Sequence, residues 1–418
     1  MNQLSQSLWL DSQKPFGLLA AASSSLAAGI AFSGGDITDT VLCSCVAACH
    51  AWMLRLQSVL APMRKHRRLI ARGLAWAIVV APIASQSSAQ AQLPRYDHVV
   101  VVIFENHSYA QIIGNPQAPN FNALAANGAV FVPAPNDPTG VMSGSHAVRH
   151  PSQPNYLEFY SGNNQGTIQD GRPGTTDEPF TVAPPFTTPN LGASLRRAGF
   201  SFVTYSESLP YAGFDGDSYT TVAGQNQYER KHNPVANWIN DSNPISNQLP
   251  SWTNQPFTAF QNLARTRNGF ARLPTVSFVV PNEQNDMHDG SVAQADAWLK
   301  SNILDTYLPW ASSHNSLLIV TFDEDGDDTA TNLIPTIFAG AWIKPGSYTE
   351  ANINLSNPYV ANASDPGFQT PTYTAMNHYN VLSTIEDIYA LPHIGGSESR
   401  PSITDVFAIA PKQHGHSH

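Results

Sequence analysis

Three times in this chain a short run rich in Val, Ile, Leu and Phe stops abruptly at a cluster of carboxylates, amides and imidazoles. His98–Phe104 runs into Glu105-Asn106-His107-Ser108, and Val276–Val280 runs into Pro281-Asn282-Glu283-Gln284-Asn285-Asp286-Met287-His288-Asp289. Leu317–Phe322 runs into Asp323-Glu324-Asp325. Runs this short and this continuously apolar read as strands buried on both faces, the habit of a parallel sheet covered on each side. Phe202–Tyr205 and Ile334–Phe338 have the same character. Between the runs, Val292, Ala295, Leu299 and Ile303 recur at helical spacing, as do Val381, Leu382, Ile385, Ile388 and Tyr389 ahead of Pro392. Strands alternating with helices predict an α/β fold, a doubly wound, mostly parallel sheet with helices on both faces. Ligands bind such folds beyond the carboxyl ends of the strands, where the polar clusters fall. The stretches 240–255 and 352–372, dominated by Asn, Pro, Gly and Ser, read as surface excursions.

The start of the chain reads as a processing segment. Met63-Arg64-Lys65-His66-Arg67-Arg68 is a basic head, the stretch from Leu69 to Ala84 is mostly apolar, and Ala89-Gln90-Ala91 has the small-residue form of a cleavage site. The apolar stretch is broken by Arg72 and Pro82 and falls short of the roughly 20 residues of a membrane span. Residues 63–91 are therefore expected to be a signal peptide, and residues 1–62 an upstream extension from a start codon assigned too early. The expected location is the periplasm or the exterior. Cys43, Cys45 and Cys49 all precede the cleavage site, so neither a disulfide nor thiolate chemistry is expected in the mature chain. Beyond Ala91 there are 14 basic and 28 acidic residues, a formal charge of −14, which argues against nucleic acid as a partner. His414, His416 and His418 mark residues 411–418 as a frayed His-rich tail.

The acidic run Asp323-Glu324-Asp325-Gly326-Asp327-Asp328 repels itself unless a cation is near, so a hard divalent metal fits it, the alternative being a solvated acidic turn. A parallel sheet would bring Glu105-Asn106 to the same end and favour the metal. An EF-hand is disfavoured, because Pro335 stands where its last ligand would be. In His150-Pro151-Ser152-Gln153-Pro154-Asn155-Tyr156, Ser152 stands where a helix cap would stand, ahead of an apolar stripe of Tyr156, Leu157 and Tyr160 closed by Gly162. A helix start is also an anion site, and a metal beside it would make Ser152 a candidate nucleophile. His288 and His232 could each donate to phosphate oxygens, and Lys231 adds positive charge.

Taken together, Glu105-Asn106-His107-Ser108, Ser152-Gln153-Pro154-Asn155, Arg230-Lys231-His232-Asn233-Pro234, Asn285-Asp286-Met287-His288-Asp289-Gly290, Asp323-Glu324-Asp325 and His378-Tyr379-Asn380 resemble one family. It is the phosphoesterase family of acid phosphatases and bacterial phospholipases C, within the alkaline phosphatase superfamily, and the likeness runs from about Tyr96 to Phe407. The resemblance implies an alkaline-phosphatase-like fold over residues 92–410 and a divalent metal held by Glu105, Asn106, Ser152, Asp323 and Glu324. It implies that Ser152 is the nucleophile of a phosphoserine mechanism, with His288 and His232 as catalytic partners. Asn106, Lys231, His232 and His288 would bind substrate, and His378 is a weaker candidate whose motif could serve packing. Phospholipase-like members tend to carry Glu-Asn-Arg-Ser where this chain has His107, and Gly326-Asp327-Asp328 does not reproduce the Asp-His many members place after the acidic pair.

The expected activity is hydrolysis of small phosphomonoesters by an acid phosphatase without a membrane anchor in its mature form. The alternatives are a phospholipase C and a non-catalytic exported metal-binding module. A sulfatase would need a formylglycine precursor that the mature chain lacks. Export with cleavage after Ala91 predicts that mass spectrometry of secreted protein finds Gln92 at the amino terminus; an exported chain still beginning at Met1 would refute it.

Overall fold

The computed structural model describes residues 93–140, 142–171, 183–221, 227–242, 245–326, 331–349 and 375–408. The expected extension, signal peptide, 352–372 excursion and His-rich tail lie outside the described residues. Within them, β1 (His98–Phe104), β2 (Ala129–Phe131), β3 (Phe202–Ser206), β4 (Asn254–Pro256), β5 (Val276–Val280), β6 (Ser316–Phe322), β7 (Thr336–Gly340) and β8 (Gly346–Tyr348) form one eight-stranded sheet. Its order is β8-β2-β7-β6-β1-β5-β3-β4. Strand β7 runs against both of its neighbours and the other described pairings in this sheet are parallel.

Alternation along the buried strands divides the core in two. Val99, Val101, Ile103, Phe278 and Ile319 face one side, where α2 (Ser152–Ser161), α3 (Leu191–Arg197) and α6 (His378–Ile388) cover them with Tyr156, Phe159, Leu195, Val381 and Ile385. Val100, Val102, Phe104, Val279 and Val320 face the other, under α1 (Pro119–Asn127), α4 (Phe257–Ala264) and α5 (Val292–Leu299). The predicted doubly wound, mostly parallel α/β architecture is the observed one.

Three local expectations are corrected. The run 334–338 is not one parallel strand: Leu333–Ile334 joins a small three-stranded sheet, and the chain enters the main sheet antiparallel after Pro335, which has no N–H to donate to a ladder. The 240–255 stretch is not wholly a surface excursion, since Thr253 and Asn254 are buried and Asn254 opens the edge strand β4. The helical run through Ile303 leaves α-geometry after Leu299 and continues as a five-residue π-turn, Lys300–Leu304.

Buried on α6, Glu386 accepts hydrogen bonds from the Ser397 hydroxyl at 2.6 Å and the Ile394 N–H at 3.1 Å. Burial pushes its pKa from 4.5 up to about 8. A carboxyl raised in this way supports the fold while protonated; its contribution is whole below its unfolded pKa and is lost as pH rises through about 8. Between about pH 5 and about pH 8 the melting temperature should fall more steeply for the wild type than for Glu386→Gln, by at least a few degrees. Parallel melting curves for the two proteins would refute this reading of Glu386.

Candidate active site

The register of β1 against β6 pairs Phe104 with Phe322, so Glu105 and Asp323 leave the sheet side by side. The turns after the strands are tied together: the Asp323 N–H donates to the Phe104 carbonyl at 3.0 Å, and the Asn106 N–H donates to Asp323 Oδ1 at 3.0 Å. The Glu105 N–H reaches across to the Asp286 carbonyl at 2.9 Å, bringing in the loop after β5. Asn106 sits at φ 46°, a left-handed geometry that asparagine tolerates better than most residues. Gly326 comes so close that a Cβ there would lie 2.2 Å from the Asn106 carbonyl oxygen, so a side chain would push the acidic turn off the β1 turn.

Ser152 is not a cap. Pro151 occupies the cap position of α2, Ser152 is the first helical residue, and its hydroxyl lies 3.1 Å from both Glu105 Oε2 and Glu324 Oε1. The helix closes at Gly162, whose φ of 67° and N–H bond to Glu158 make a left-handed stop. Glu324 is further held by His150 Nδ1 at 2.9 Å and Asn155 Nδ2 at 3.3 Å. The structure thus gathers Glu105, Asn106, Ser152, Asp323 and Glu324 at one end of the sheet; Asp327 and Asp328 lie outside the described residues.

A second group adjoins the first. His232, buried in the short turn Arg230–His232, places Nε2 3.2 Å from Glu105 Oε1 and Nδ1 2.9 Å from Glu283 Oε1 and 3.6 Å from Asp286 Oδ2. Its ring stacks on Tyr156, which rides one turn after Ser152 on α2. His288 binds Glu283 Oε2 through Nδ1 at 3.0 Å, and its Nε2 lies 3.3 Å from Lys231 Nζ, which also reaches Asp170 at 3.4 Å. The structure therefore brings Lys231, His232 and His288 to the same place. His378 stands apart: its Nε2 contacts the Phe322 carbonyl at 2.9 Å, its ring stacks on Phe159, and burial lowers its pKa to about 4. It is a neutral support beneath the end of β6.

The sequence reading gave no role to Glu283, Asp286, His150, Asn155, Tyr156 or Asp170. All but Asp170 lie inside motifs already singled out, and proximity in sequence to Ser152, His232 or His288 was the one signal available. Their roles come from which neighbours the fold gives them.

The electrostatics of the two groups differ. Burial, and then Asp323, raise the pKa of Glu105 well above the carboxylate range. Burial raises Asp323 as well, and burial followed by Asp323 pushes Glu324 up to about 7. Burial works against a charge on His232, yet Glu105 and Glu283 outweigh it and hold its pKa well above 6.5. Glu283, mainly through His232 against the pull of burial, is held below its usual range, and hydrogen bonding to Glu283 pushes His288 up to about 9. Around His232, cationic imidazoles thus answer the carboxylates; around Ser152 there is a deficit of positive charge.

Among the described residues, ligand atoms converge within 4.8 Å in His232-Glu283-Asp286 and in Glu283-His288-Asp289, not in the set around Ser152. Charge points the other way, because Glu283 and Asp286 already have an imidazole between them. The buried Asp323 Oδ2 and Asn106 Oδ1 have no hydrogen-bond donor. Hard oxygen donors of this kind suit a divalent cation.

Residues 137–392 match the family model described as Phosphoesterase family. The chain belongs to this family. Like its members, it hydrolyses phosphoric esters. A phosphatidylinositol-3-phosphatase of Mycobacterium tuberculosis is 39% identical over 85% of this chain and 99% of its own length. Acid phosphatases of Aspergillus fumigatus and Penicillium chrysogenum are 27% and 26% identical, over 64% and 61% of this chain. The chain spans about half the length of those fungal phosphatases, 52% and 53% respectively. A solved phosphonate monoester hydrolase of Silicibacter pomeroyi aligns over 76% of this chain and 78% of its own, with 13% identity and a TM-score of 0.41. The family match spans the Ser152, His232, His288 and Asp323-Glu324 motifs and begins after Glu105-Asn106.

Proposed function

We propose that the chain is an exported, metal-dependent phosphomonoesterase of the acid phosphatase type, working through a phosphoserine at Ser152. The observation that carries this reading is the Ser152 hydroxyl, buried at the start of α2 and shared between Glu105 and Glu324. A serine there faces the positive end of a ten-residue helix, which favours an incoming phosphate. Glu105, Asn106, Ser152, Asp323 and Glu324 would hold the cation. A divalent ion bound by them lowers the pKa of the serine and offsets charge on the phosphoryl group.

In the proposed reaction, Lys231, His232 and His288 orient the phosphoryl oxygens. Ser152 Oγ attacks phosphorus, its proton passing to the carboxylates it already faces, and an oxygen–phosphorus bond forms as the bond to the leaving alcohol breaks. His288 is protonated up to about pH 9 and exposed, so it can give the departing alkoxide its proton. Water then gives a proton to His288, which is neutral after the first step, and attacks phosphorus from the side opposite Ser152; the bond from phosphorus to Oγ breaks, Oγ takes back its proton from the carboxylates, and phosphate leaves. Positioning and electrostatics do most of the work in such transfers. The relatives are phosphatases by name, which supports a monoester over a phospholipase C substrate, and the mycobacterial one points to phosphorylated inositol lipids as well as soluble esters. The signal-peptide pattern supports export. Among the described residues no helix is long and apolar enough to cross a membrane.

Two outcomes follow for the metal and the nucleophile. Asp323→Asn and Glu105→Gln should each lower bound divalent metal per chain and phosphate release; a variant with full metal content and turnover would remove that residue from the ligand set. Ser152→Ala should fold and lose several orders of magnitude in rate, since it deletes the attacking atom and no cap is lost. Wild type quenched in acid with labelled substrate should carry label on the peptide containing Ser152, and the variant should not. A folded Ser152→Ala chain turning over near the wild-type rate would end the phosphoserine mechanism.

A further inference from the structure

We infer that Glu207 is a positioning residue for the reaction: it clamps the loop that carries Glu283, Asp286 and His288, and it acts through the place that this loop gives to His288. The inference rests on the roles proposed above for that loop. Glu207 stands one residue past β3, the neighbour of β5, and its N–H extends the ladder by donating to the Val280 carbonyl at 2.8 Å. Its half-buried carboxylate turns to the loop after β5. Oε2 accepts the Asn282 N–H at 3.1 Å and Asn285 Nδ2 at 2.9 Å, while Oε1 accepts the indole N–H of Trp298 at 3.0 Å. One side chain thereby joins β3, both ends of the Asn282–Asn285 turn and helix α5.

The loop needs such an anchor. Met287, buried in the core beneath α4 and α5, has φ 91°, a backbone geometry costly for an unbranched side chain and held only where the surroundings impose it. The residues on either side are Asp286, which faces His232, and His288, which faces Lys231. Other bonds also tie the loop down, the Asp286 carbonyl accepting the Glu105 N–H at 2.9 Å and the Glu283 N–H donating to the Gln227 carbonyl at 3.0 Å, while the Asp286 and Asp289 N–H groups bond within it at 2.8 and 2.7 Å. Glu207 adds the tie that runs from the Asn282–Asn285 turn to β3 and to Trp298 on α5.

The clamp demands two acceptors. Asn285 can turn its amide round, but the Asn282 N–H and the Trp298 indole N–H cannot, and they address different oxygens. A glutamine at 207 offers one oxygen and must face its amide donor against one of the two. Glu207→Gln should therefore lower kcat/KM about tenfold or more, in the range of lost supporting contacts at other sites.

The test is a double-mutant cycle with His288→Ala, measured on an aryl phosphate with the full mature chain, with melting temperatures alongside. Glu207→Gln should cost about tenfold in the wild-type background and less than about twofold once His288 is gone, while its shift in melting temperature stays the same in both. An equal factor in both backgrounds, or no loss in a folded Glu207→Gln chain, would overturn the role of Glu207. Full activity in His288→Ala would instead overturn the role of His288 proposed above, and with it this one. Trp298→Phe removes the indole donor, so Glu207→Gln combined with Trp298→Phe should recover activity relative to Glu207→Gln, and this pair keeps the test readable if the single variant folds poorly. No recovery, measured against Trp298→Phe alone, would overturn the acceptor argument.

Discussion

Three carboxyl groups, Glu105, Asp323 and Glu324, are buried within one another's fields, and the upper end of the sheet is organised around that constraint. Like charges this close in a protein interior cannot all ionise without compensation. The chain answers with donors: the Asn106 N–H on Asp323, the Ser152 hydroxyl on Glu105 and Glu324, His150 and Asn155 on Glu324. His232 Nε2 adds a partner to Glu105 Oε1 at 3.2 Å, while Asp323 Oδ2 and Asn106 Oδ1 remain without a donor, hard oxygens of the kind that suit a divalent cation.

Geometry fixes the constraint before any side chain is chosen. Because Phe104 is level with Phe322 and Val102 with Val279, the three turns that follow β1, β6 and β5 begin at nearly one height. Backbone bonds between the turns then hold them, from Asp323 to Phe104 and from Glu105 to Asp286. A slip of one residue in the β1–β6 register would carry Glu105 off the cluster and turn its side chain to the other face of the sheet. The apolar core on both faces is therefore what keeps the acids together, and His378 beneath Phe322 adds a polar support at that end.

Much of this was legible in the sequence. Buried parallel strands announce themselves as continuous Val, Ile and Phe, and their ends as sudden polarity, so the fold and the meeting of Glu105 and Asp323 could be anticipated, while Ser152, His232 and His288 were assigned to the same place by the family resemblance of their motifs. What was not legible depended on neighbours far along the chain. Ser152 looks like a cap because a polar residue before an apolar stripe often is one; its hydroxyl turns to Glu105 and Glu324, residues 47 and 172 positions away. Tyr156 reads as part of an apolar stripe, and only the fold sets its ring on His232. The reversal of β7 turns on Pro335, whose missing N–H breaks what periodicity alone reads as one strand.

The two halves of the site divide the electrostatic work. Glu283 and Asp286 are balanced by His232, so that half can carry positive groups at its mouth, Lys231 and His288, without demanding a metal. The half around Ser152 is short of positive charge, the condition under which the proposed cation would bind. A phosphate anion approaching a chain that is formally −14 beyond Ala91 has to be met by local positive charge, and Lys231 and His288 offer it beside the carboxylates. Helix α2 couples the halves: Ser152 is its first residue, and one turn later Tyr156 stacks on His232 and is electrostatically linked to Glu105. Any shift of that first turn moves the serine relative to Glu105 and Glu324 and the Tyr156 ring relative to His232 together. This is why the turn is buried throughout, with Gln153, Pro154 and Asn155 closed off from solvent between them.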